Sequence, residues 1–232
     1  LQWYTQMFDS ATIMDALVNT LLIAFVSALI ATIIGTAASI AINSMKPLPR
    51  TIIMGITNIP MLNADIVTGI SLMLLFIAVN YTMGFSSVLI AHITFNLPFV
   101  ILSVAPRLGS MNTSAFEAAQ DLGASKAYAF WKVIFPDIMP NILTGFLLSF
   151  TMSVDDFVIT HFTKGVGIDT LSTMIYTEQK KGIRPEIYSL STLMFVTIFV
   201  LLILYTLHKS HAEKIKSRAS SRMEAASRWI SL

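Results

Sequence analysis

The sequence predicts an all-α protein, a polytopic bundle of membrane-spanning helices. Its 232 residues are 55% hydrophobic and only 12% charged, and the mean hydropathy is +0.72, whereas globular domains carry roughly 25% charged residues. The uncharged runs 16–45 and 66–106 exceed the ~20 apolar residues that a helical span needs. These runs are continuously apolar, whereas the strands of a membrane barrel alternate.

Five spans are predicted, near residues 17–42, 56–79, 85–106, 137–160 and 187–208. The first is rich in small residues, including Gly35 and Ser39, which suits close helix contact rather than chemistry. We expect a kink at Pro60 in the second span, because proline cannot donate a backbone hydrogen bond. Asn80 and Gly84 in the segment NYTMG favour a turn between the second and third spans.

The distribution of Lys and Arg orients the spans. Of the 15 such residues, four lie between the fourth and fifth spans and the others lie in the connections and tail of the opposite side. The richer side is predicted to be cytoplasmic, so the amino terminus lies outside. Because the chain begins at Leu1 with no secretory h-region, we expect a further span to precede it.

Two regions are predicted, a membrane domain over residues 1–208 and a basic cytoplasmic tail over 209–232. The tail has apolar residues at spacings of three and four between its basic residues. This pattern fits a helix on the anionic inner leaflet, and it fits a solvated tail equally well.

The connection over residues 112–136 is too long for a simple turn and predicts a structured insertion. Ser114 and Glu117 have the spacing of a capping box and start one helix. Gly123 suits the left-handed residue that closes this helix, Ser125 caps a second, and Pro136 is expected to end it. The apolar surface of the two helices fits an interfacial segment on lipid or a docking element for a soluble partner.

Two adjacent acids, Asp155 and Asp156, lie near the outer end of the fourth predicted span. A helix from Asp137 to Asp156 rises roughly 28 Å, which places both acids in the outer part of the membrane, where a charge facing lipid costs ~2.5–3.5 kcal/mol. Asp156 continues a polar stripe with Ser153, so we expect it to line a pathway. Asp155 points about 100° away and is expected to accept hydrogen bonds from a neighbouring helix or partner. The alternative is that both acids simply end the span at the outer interface.

Asp65 is an isolated acid near the expected kink. At helical spacing it shares a face with Asn58 and Thr68, which places it on the same polar route. The alternative is a hydrogen-bonded structural acid beside the kink. His92 and Asn96 align on the third span; no second ligand stands at metal-binding spacing, so His92 is interpreted as a helix-packing histidine.

The segment EAAQDLGASKAYAFWKVIFP resembles the EAA loop of ABC importer permeases. The matching residues are Glu117, Ala118, Ala119, Gly123, Ile134 and Pro136. The resemblance implies a type I ABC importer permease (MetI-like) fold in which this loop sits in a cleft of an ATPase subunit. It also implies ATPase-coupling roles for Glu117, Ala118, Ala119, Asp121, Gly123 and Ala124.

HITFNLPFV and LSFTMSVDDFVIT extend the resemblance to spermidine/putrescine importer permeases of the PotC type, which have six spans. Five of the six are present here. The family implies a multi-pass protein of the bacterial inner membrane, in contact with lipid. Its partners would be an ABC ATPase homodimer, a second homologous permease and an extracytoplasmic polyamine-binding protein. The pathway candidates are then Asp65, Asp155, Asp156 and Ser153.

The chain is expected to be a transport subunit rather than an enzyme. It contains no G-x-x-x-x-G-K-[ST] loop, so ATP and Mg are assigned to the partner ATPase, and no cofactor is expected on this chain. No nucleic-acid motif is present in the sequence. The alternatives are an importer permease for iron, thiamine or betaine, and an ion-gradient-driven transporter. This sequence contains neither a G-x-S-x-G nor an H-E-x-x-H motif, so nothing in it favours an intramembrane hydrolase.

Overall fold

The computed structural model describes residues 10–111 and 114–181, with seven further positions between 191 and 203. Its helices, numbered in chain order, are α1 (Ala11–Asn43), α2 (Pro47–Leu62), α3 (Asp65–Ala78), α4 (Phe85–Ser110), α5 (Ser114–Asp121), α6 (Lys126–Ala129), a π-helical turn (Phe130–Ile134), α7 (Phe135–Asp155), α8 (Val158–Thr163) and α9 (Leu171–Lys181). No strand occurs within these described ranges. The first compact unit of the chain spans Ala11–Lys181.

Helices α1, α4 and α7 form the centre of the first unit. They approach closely because glycines face their neighbours: a Cβ added at Gly35 would lie 2.8 Å from the Val100 side chain, and one added at Gly145 would lie 3.2 Å from the Val100 Cα. Membrane helices associate through such close packing, since lipid removes the hydrophobic driving force. The prediction of tight contact along the first span, at Gly35 and Ser39, is confirmed; Ser39 is fully buried.

Three helical segments are long and apolar enough to cross a membrane, Ala11–Asn43, Phe85–Ser110 and Lys126–Asp155. The pair α2 and α3 adds a fourth if it counts as one broken span. Large apolar side chains such as Phe25 and Ile33 lie exposed on the outside of α1, as a lipid-facing surface requires. Of the predicted span 187–208, only seven positions are described, each of them helical, and the tail 209–232 lies outside the described residues.

The second predicted span is broken more sharply than expected and at a different place. Helices α2 and α3 meet at 104°, and the break lies at Asn63 and Ala64, whose ψ angles of 150° and 139° are extended. Pro60 stays inside the last turn of α2. Its missing N–H removes one backbone hydrogen bond there without bending the helix at that residue. The predicted shared face of Asn58 with Asp65 is therefore wrong, since the two residues lie on opposite sides of the bend.

The turn predicted at NYTMG is confirmed. Asn80 has the left-handed φ of 52°, which asparagine tolerates better than most residues. The amides of Tyr81 and Asn80 donate to the carbonyls of Phe76 and Ile77, at 2.8 and 3.0 Å. These two bonds close α3 in a Schellman arrangement.

The insertion between the third and fourth spans is helical, as predicted. Helix α5 ends in a Schellman turn: the Gly123 amide donates to the Gln120 carbonyl at 2.8 Å, and the Ala124 amide donates to the Ala119 carbonyl at 3.0 Å. Gly123 has a φ of +88°, which strongly favours glycine. Ser125 then caps α6, accepting from the Tyr128 amide. We call residues 114–134 the elbow.

The expected end of the second elbow helix at Pro136 is wrong. The chain stays helical from Lys126 to Asp155, because the π-helical turn Phe130–Ile134 widens the backbone just before the proline. The Phe135 amide donates to the Phe130 carbonyl, one residue further back than in an α-helix. The widened turn relieves the clash that Pro136 would otherwise make with the preceding turn.

The fourth predicted span, 137–160, is not one helix. Helix α7 ends at Asp155, and Asp156 has an extended ψ of 126°. The six-residue helix α8 follows and packs on α3, where a Cβ added at Gly69 would lie 3.1 Å from the Phe162 ring. Because the helix breaks at Asp156, Ser153 and Asp156 do not lie on one continuous α-helix, and the polar stripe expected from helical spacing is interrupted there.

Candidate functional site

A cluster of buried polar side chains joins α1, α4, α7 and α8. We call it the His92 cluster, and its members are Ser27, His92, Asn96, Ser153, Asp156 and Thr160. His92 is 1% exposed. Its Nδ1 lies 2.5 Å from the Ser153 Oγ, and its Nε2 lies 2.9 Å from the Thr160 Oγ1 and 3.4 Å from the Asp156 Oδ2.

The bonds on one side of His92 have a definite direction. The Thr160 hydroxyl donates to Asp156 at 2.9 Å, so the Nε2–H of His92 is left to donate to the Thr160 oxygen. On its other side, Nδ1 shares the contact given above with the Ser153 hydroxyl.

The contacts continue to α1. The Ser27 Oγ lies 3.2 Å from the Ser153 Oγ, where either hydroxyl can donate, and 3.2 Å from the Ala24 carbonyl oxygen, and it accepts from the Asn96 amide at 3.3 Å. The contacts therefore link Asn96, through the serines and His92, to the Asp156 carboxylate, the strongest acceptor present. The Asn96 Oδ1 is buried and has no protein partner within the described residues.

Asp156 also holds the start of α8. Its Oδ1 accepts from the Ile159 amide at 3.1 Å, and its Oδ2 accepts from the Thr160 amide at 2.8 Å. These amides are unpaired donors of the first helical turn, and a carboxylate there is stabilised by the helix dipole. The Asp156 side chain is only 5% exposed, so it is satisfied by protein groups rather than by water.

The predicted pathway residues fall into two groups. Asp156 and Ser153 lie inside the His92 cluster, whereas Asp65 and Asp155 are exposed at the surface of the described body. Asp155 is the last residue of α7, and Asp65 is the first residue of α3. The pathway role of all four residues stays a prediction.

His92 packs between helices, as interpreted from the sequence, and Asn96 lies beside it. Helical spacing connects neither residue to the two aspartates, and it does not single out Ser27. The signal for Ser27 was weak: it is one of many small residues in the first span, and helical periodicity gives no information about which helices meet.

The elbow presents an exposed apolar surface. Leu122 is 90% exposed, and Tyr128 and Trp131 are about 60% exposed, so the predicted surface is present. The predicted coupling residues Glu117, Ala118, Asp121 and Gly123 are exposed, whereas Ala119 and Ala124 are half-buried. Close by, Arg107 of α4 forms an ion pair with Asp137 of α7, which links the two spans that flank the elbow.

A bundle of apolar spans, one broken span, buried intramembrane polar groups and an exposed elbow define a multi-pass membrane protein of the transporter class. A family profile described as the binding-protein-dependent transport system inner membrane component matches residues 31–217. The chain belongs to this family, the permease subunits of ABC importers. Its members are transport components rather than enzymes and work with ATPase subunits and a substrate-binding protein.

Several relatives are similar over most of the chain. The spermidine/putrescine transport system permease protein PotC of Haemophilus influenzae is 38% identical over 87% of this chain and 79% of its own. PotC of Escherichia coli K12 is 36% identical over 87% and 76%. The putrescine transport system permease protein PotI of the same strain is 32% identical over 95% and 81%.

Solved structures share the fold. A bacterial ABC transporter involved in the import of the acidic polysaccharide alginate aligns with a TM-score of 0.72 at 16% identity, over 91% of this chain and 83% of that one. The inward-facing MetNI methionine ABC transporter aligns with a TM-score of 0.67 at 20% identity, over 84% and 94%. The all-helical importer permease fold expected from the sequence is thus confirmed.

Proposed function

We propose that this chain is the membrane-spanning permease subunit of an ATP-driven importer of polyamines, spermidine or putrescine. The observation that carries the proposal is the identity of 36–38% to PotC proteins over 87% of the chain. The protein resides in the bacterial inner membrane, where an extracytoplasmic polyamine-binding protein delivers the cargo. A second homologous permease completes the translocation pathway.

The elbow is the proposed coupling element for an ABC ATPase homodimer. Its exposed apolar residues suit a protein partner, since large apolar side chains left in solvent mark interaction sites. Glu117 and Asp121 add exposed acceptors beside the small residues Ala118, Ala119 and Ala124, which permit close approach. ATP and Mg are bound by the ATPase, and this chain contributes no cofactor ligand.

The proposed pathway residues are Asp65, Asp155, Asp156 and Ser153. Polyamines are flexible polycations, and carboxylates offset part of the cost of their dehydration. The exposure of Asp65 and Asp155 supports direct contact with cargo. Burial in the His92 cluster supports an indirect contribution from Asp156 and Ser153. The attraction must stay moderate, because cargo that binds too tightly does not leave.

Uptake by a reconstituted complex tests this function. Both permeases, the ATPase and the binding protein are placed in proteoliposomes, and ATP-dependent accumulation of labelled spermidine and putrescine is measured. We expect uptake that needs ATP and the binding protein. Failure of both polyamines, with uptake of iron, thiamine or betaine instead, would change the cargo assignment while keeping the permease function.

Single charge removals test the acids. Asp155→Asn and Asp65→Asn should each lower uptake about tenfold, corresponding to ~1.4 kcal/mol, which is well below the ~4 kcal/mol of a charge pair at 4 Å in a medium of effective dielectric 20. Asp15→Asn, which removes an exposed carboxylate near the start of α1, is the matched control and should transport normally. Unchanged uptake in both pathway variants would contradict the carboxylate role.

A further inference from the structure

We propose that the His92 cluster is a clamp that fixes α8 and thereby positions the two exposed acids, Asp155 and Asp65, for a polycationic cargo. His92 is its central positioning residue and does not itself touch cargo. The inference rests on the proposed function. It means that buried residues, which do not touch the cargo, fix the positions of the exposed acids that bind it.

The clamp is needed because α8 is too short to hold its own position. It has six residues, whereas isolated helices below ~12–15 residues are marginal even in favourable sequences. Its first turn depends on the Asp156 carboxylate, which accepts the Ile159 and Thr160 amides. His92 reaches the same turn from α4 through Thr160, so α4 holds both the cap and the helix.

One arm of the clamp sets Asp155. This residue immediately precedes Asp156, where the chain leaves the α7 helix. Ser153, two residues before Asp155, is bonded to His92 and contacts Ser27 of α1. Asp155 therefore stands between two fixed neighbours, and its backbone cannot rotate without breaking one of these buried contacts.

The other arm sets Asp65 through α3. Gly69, one turn after Asp65, is the point where α3 approaches α8: an added Cβ would lie 3.1 Å from the Phe162 ring and 3.5 Å from the Ile159 Cα. Ile159 is fully buried beside Phe76 of α3. A displacement of α8 would therefore carry the start of α3 with it, and Asp65 is the first residue of that helix.

The chemical identity of Asp156, His92 and Thr160 indicates that the cluster positions α8 and does not merely cap its first turn. A serine or asparagine would satisfy a helix start as well as an aspartate does, without the cost of a buried charge. Here a carboxylate is buried and supported by a histidine and a threonine from two different elements. The bonds that join His92, Thr160 and Asp156 satisfy one another, and buried polar groups paired in this way specify one arrangement of the elements that they join.

Thr160→Val is the test variant, because it keeps the shape of the side chain and removes only the hydroxyl between His92 and Asp156. Thr163→Val is the matched control: it lies on the same helix, is equally buried, and loses only a bond to the Ile159 carbonyl of its own helix. We expect uptake of labelled spermidine to fall about fivefold in Thr160→Val, to recover in Thr160→Ser, and to stay normal in Thr163→Val.

A double-variant cycle separates positioning from general stability. If the clamp acts through the exposed acids, Thr160→Val should add almost nothing in a background that carries both Asp155→Asn and Asp65→Asn, because both positioned carboxylates are already gone. If the fold-loss of Thr160→Val multiplies with that of this double variant, the hydroxyl acts independently of the two acids and the positioning role is overturned.

Amide hydrogen exchange measures the clamp without any cargo. Peptides covering residues 156–163 and 64–72 should exchange about tenfold faster in Thr160→Val than in the wild type, whereas peptides from α5 should not change. Unchanged exchange in α8 would overturn the clamp. If the wild-type complex accumulates no polyamine, the proposed function fails, and the exchange experiment still decides whether the clamp exists.

Discussion

Gly123→Ala tests the elbow as a mechanical element with little interference from packing. Gly123 has a φ of +88°, and an added Cβ would meet no atom of the described structure within 4 Å. The substitution therefore changes only backbone strain, which costs about 1–2 kcal/mol for a left-handed alanine. This strain corresponds to a loss of about 5- to 30-fold in the population of the native elbow.

Gly167 provides a control with the same local geometry. Its φ is +89°, and its added Cβ would also meet nothing within 4 Å. Gly123 precedes the helical segment Lys126–Asp155 and Gly167 follows it, so the two strains act at opposite ends of one span. Gly167→Ala should cost the same free energy locally without touching the elbow.

The assay is ATP hydrolysis by the reconstituted complex, stimulated by the loaded binding protein. We expect Gly123→Ala to lower the stimulated rate about fivefold or more, and Gly167→Ala to leave it within about twofold of the wild type. Gly123→Asn should recover much of the loss, because asparagine tolerates positive φ. Equal losses in both alanine variants, or none at Gly123, would refute the reasoning.

Three further predictions concern packing and charge. Gly165→Ala should strongly reduce folded protein, because the new Cβ would lie 2.1 Å from the Met83 carbonyl oxygen; size-exclusion chromatography of the solubilised protein measures this. Asp137→Asn breaks a half-exposed ion pair with Arg107 and should lower the free energy of unfolding by only about 0.2–1 kcal/mol, read from thermal unfolding in detergent. Ile138→Ala empties a fully buried position. The free energy of unfolding should fall by about 2 kcal/mol, the low end of the range for soluble cores, because burial away from lipid brings no hydrophobic transfer free energy. Denaturant titration measures this loss.

The elbow was predictable because its signals are local. Gly123 requires a left-handed φ, and Ser125 accepts a bond from an amide three residues away. Such features depend on a few neighbouring residues and are the same in any fold. Pro136 was misread because the π-helical turn that accommodates it has no comparable residue signature.

The break in the second span shows the opposite case. Pro60 was the strongest local signal, yet the chain bends at Asn63 and Ala64. The site of the bend is where α3 turns to pack on α8 and bury Phe76. Contacts made elsewhere in the chain therefore outweighed the local preference of the proline.

The sequence by itself determined the class of protein, the positions of the first and third predicted spans, the elbow and the family, because hydropathy, turn residues and motifs are properties of short segments. Only the tertiary structure decided the roles of the acids. His92 meets Ser153 across 61 residues, and Ser27 meets Ser153 across 126. In the same cluster His92 and Thr160 contact the buried Asp156 side chain, whereas Asp155 is exposed. Helical periodicity places each residue on a face of its own helix, but the helix that covers that face is set by packing.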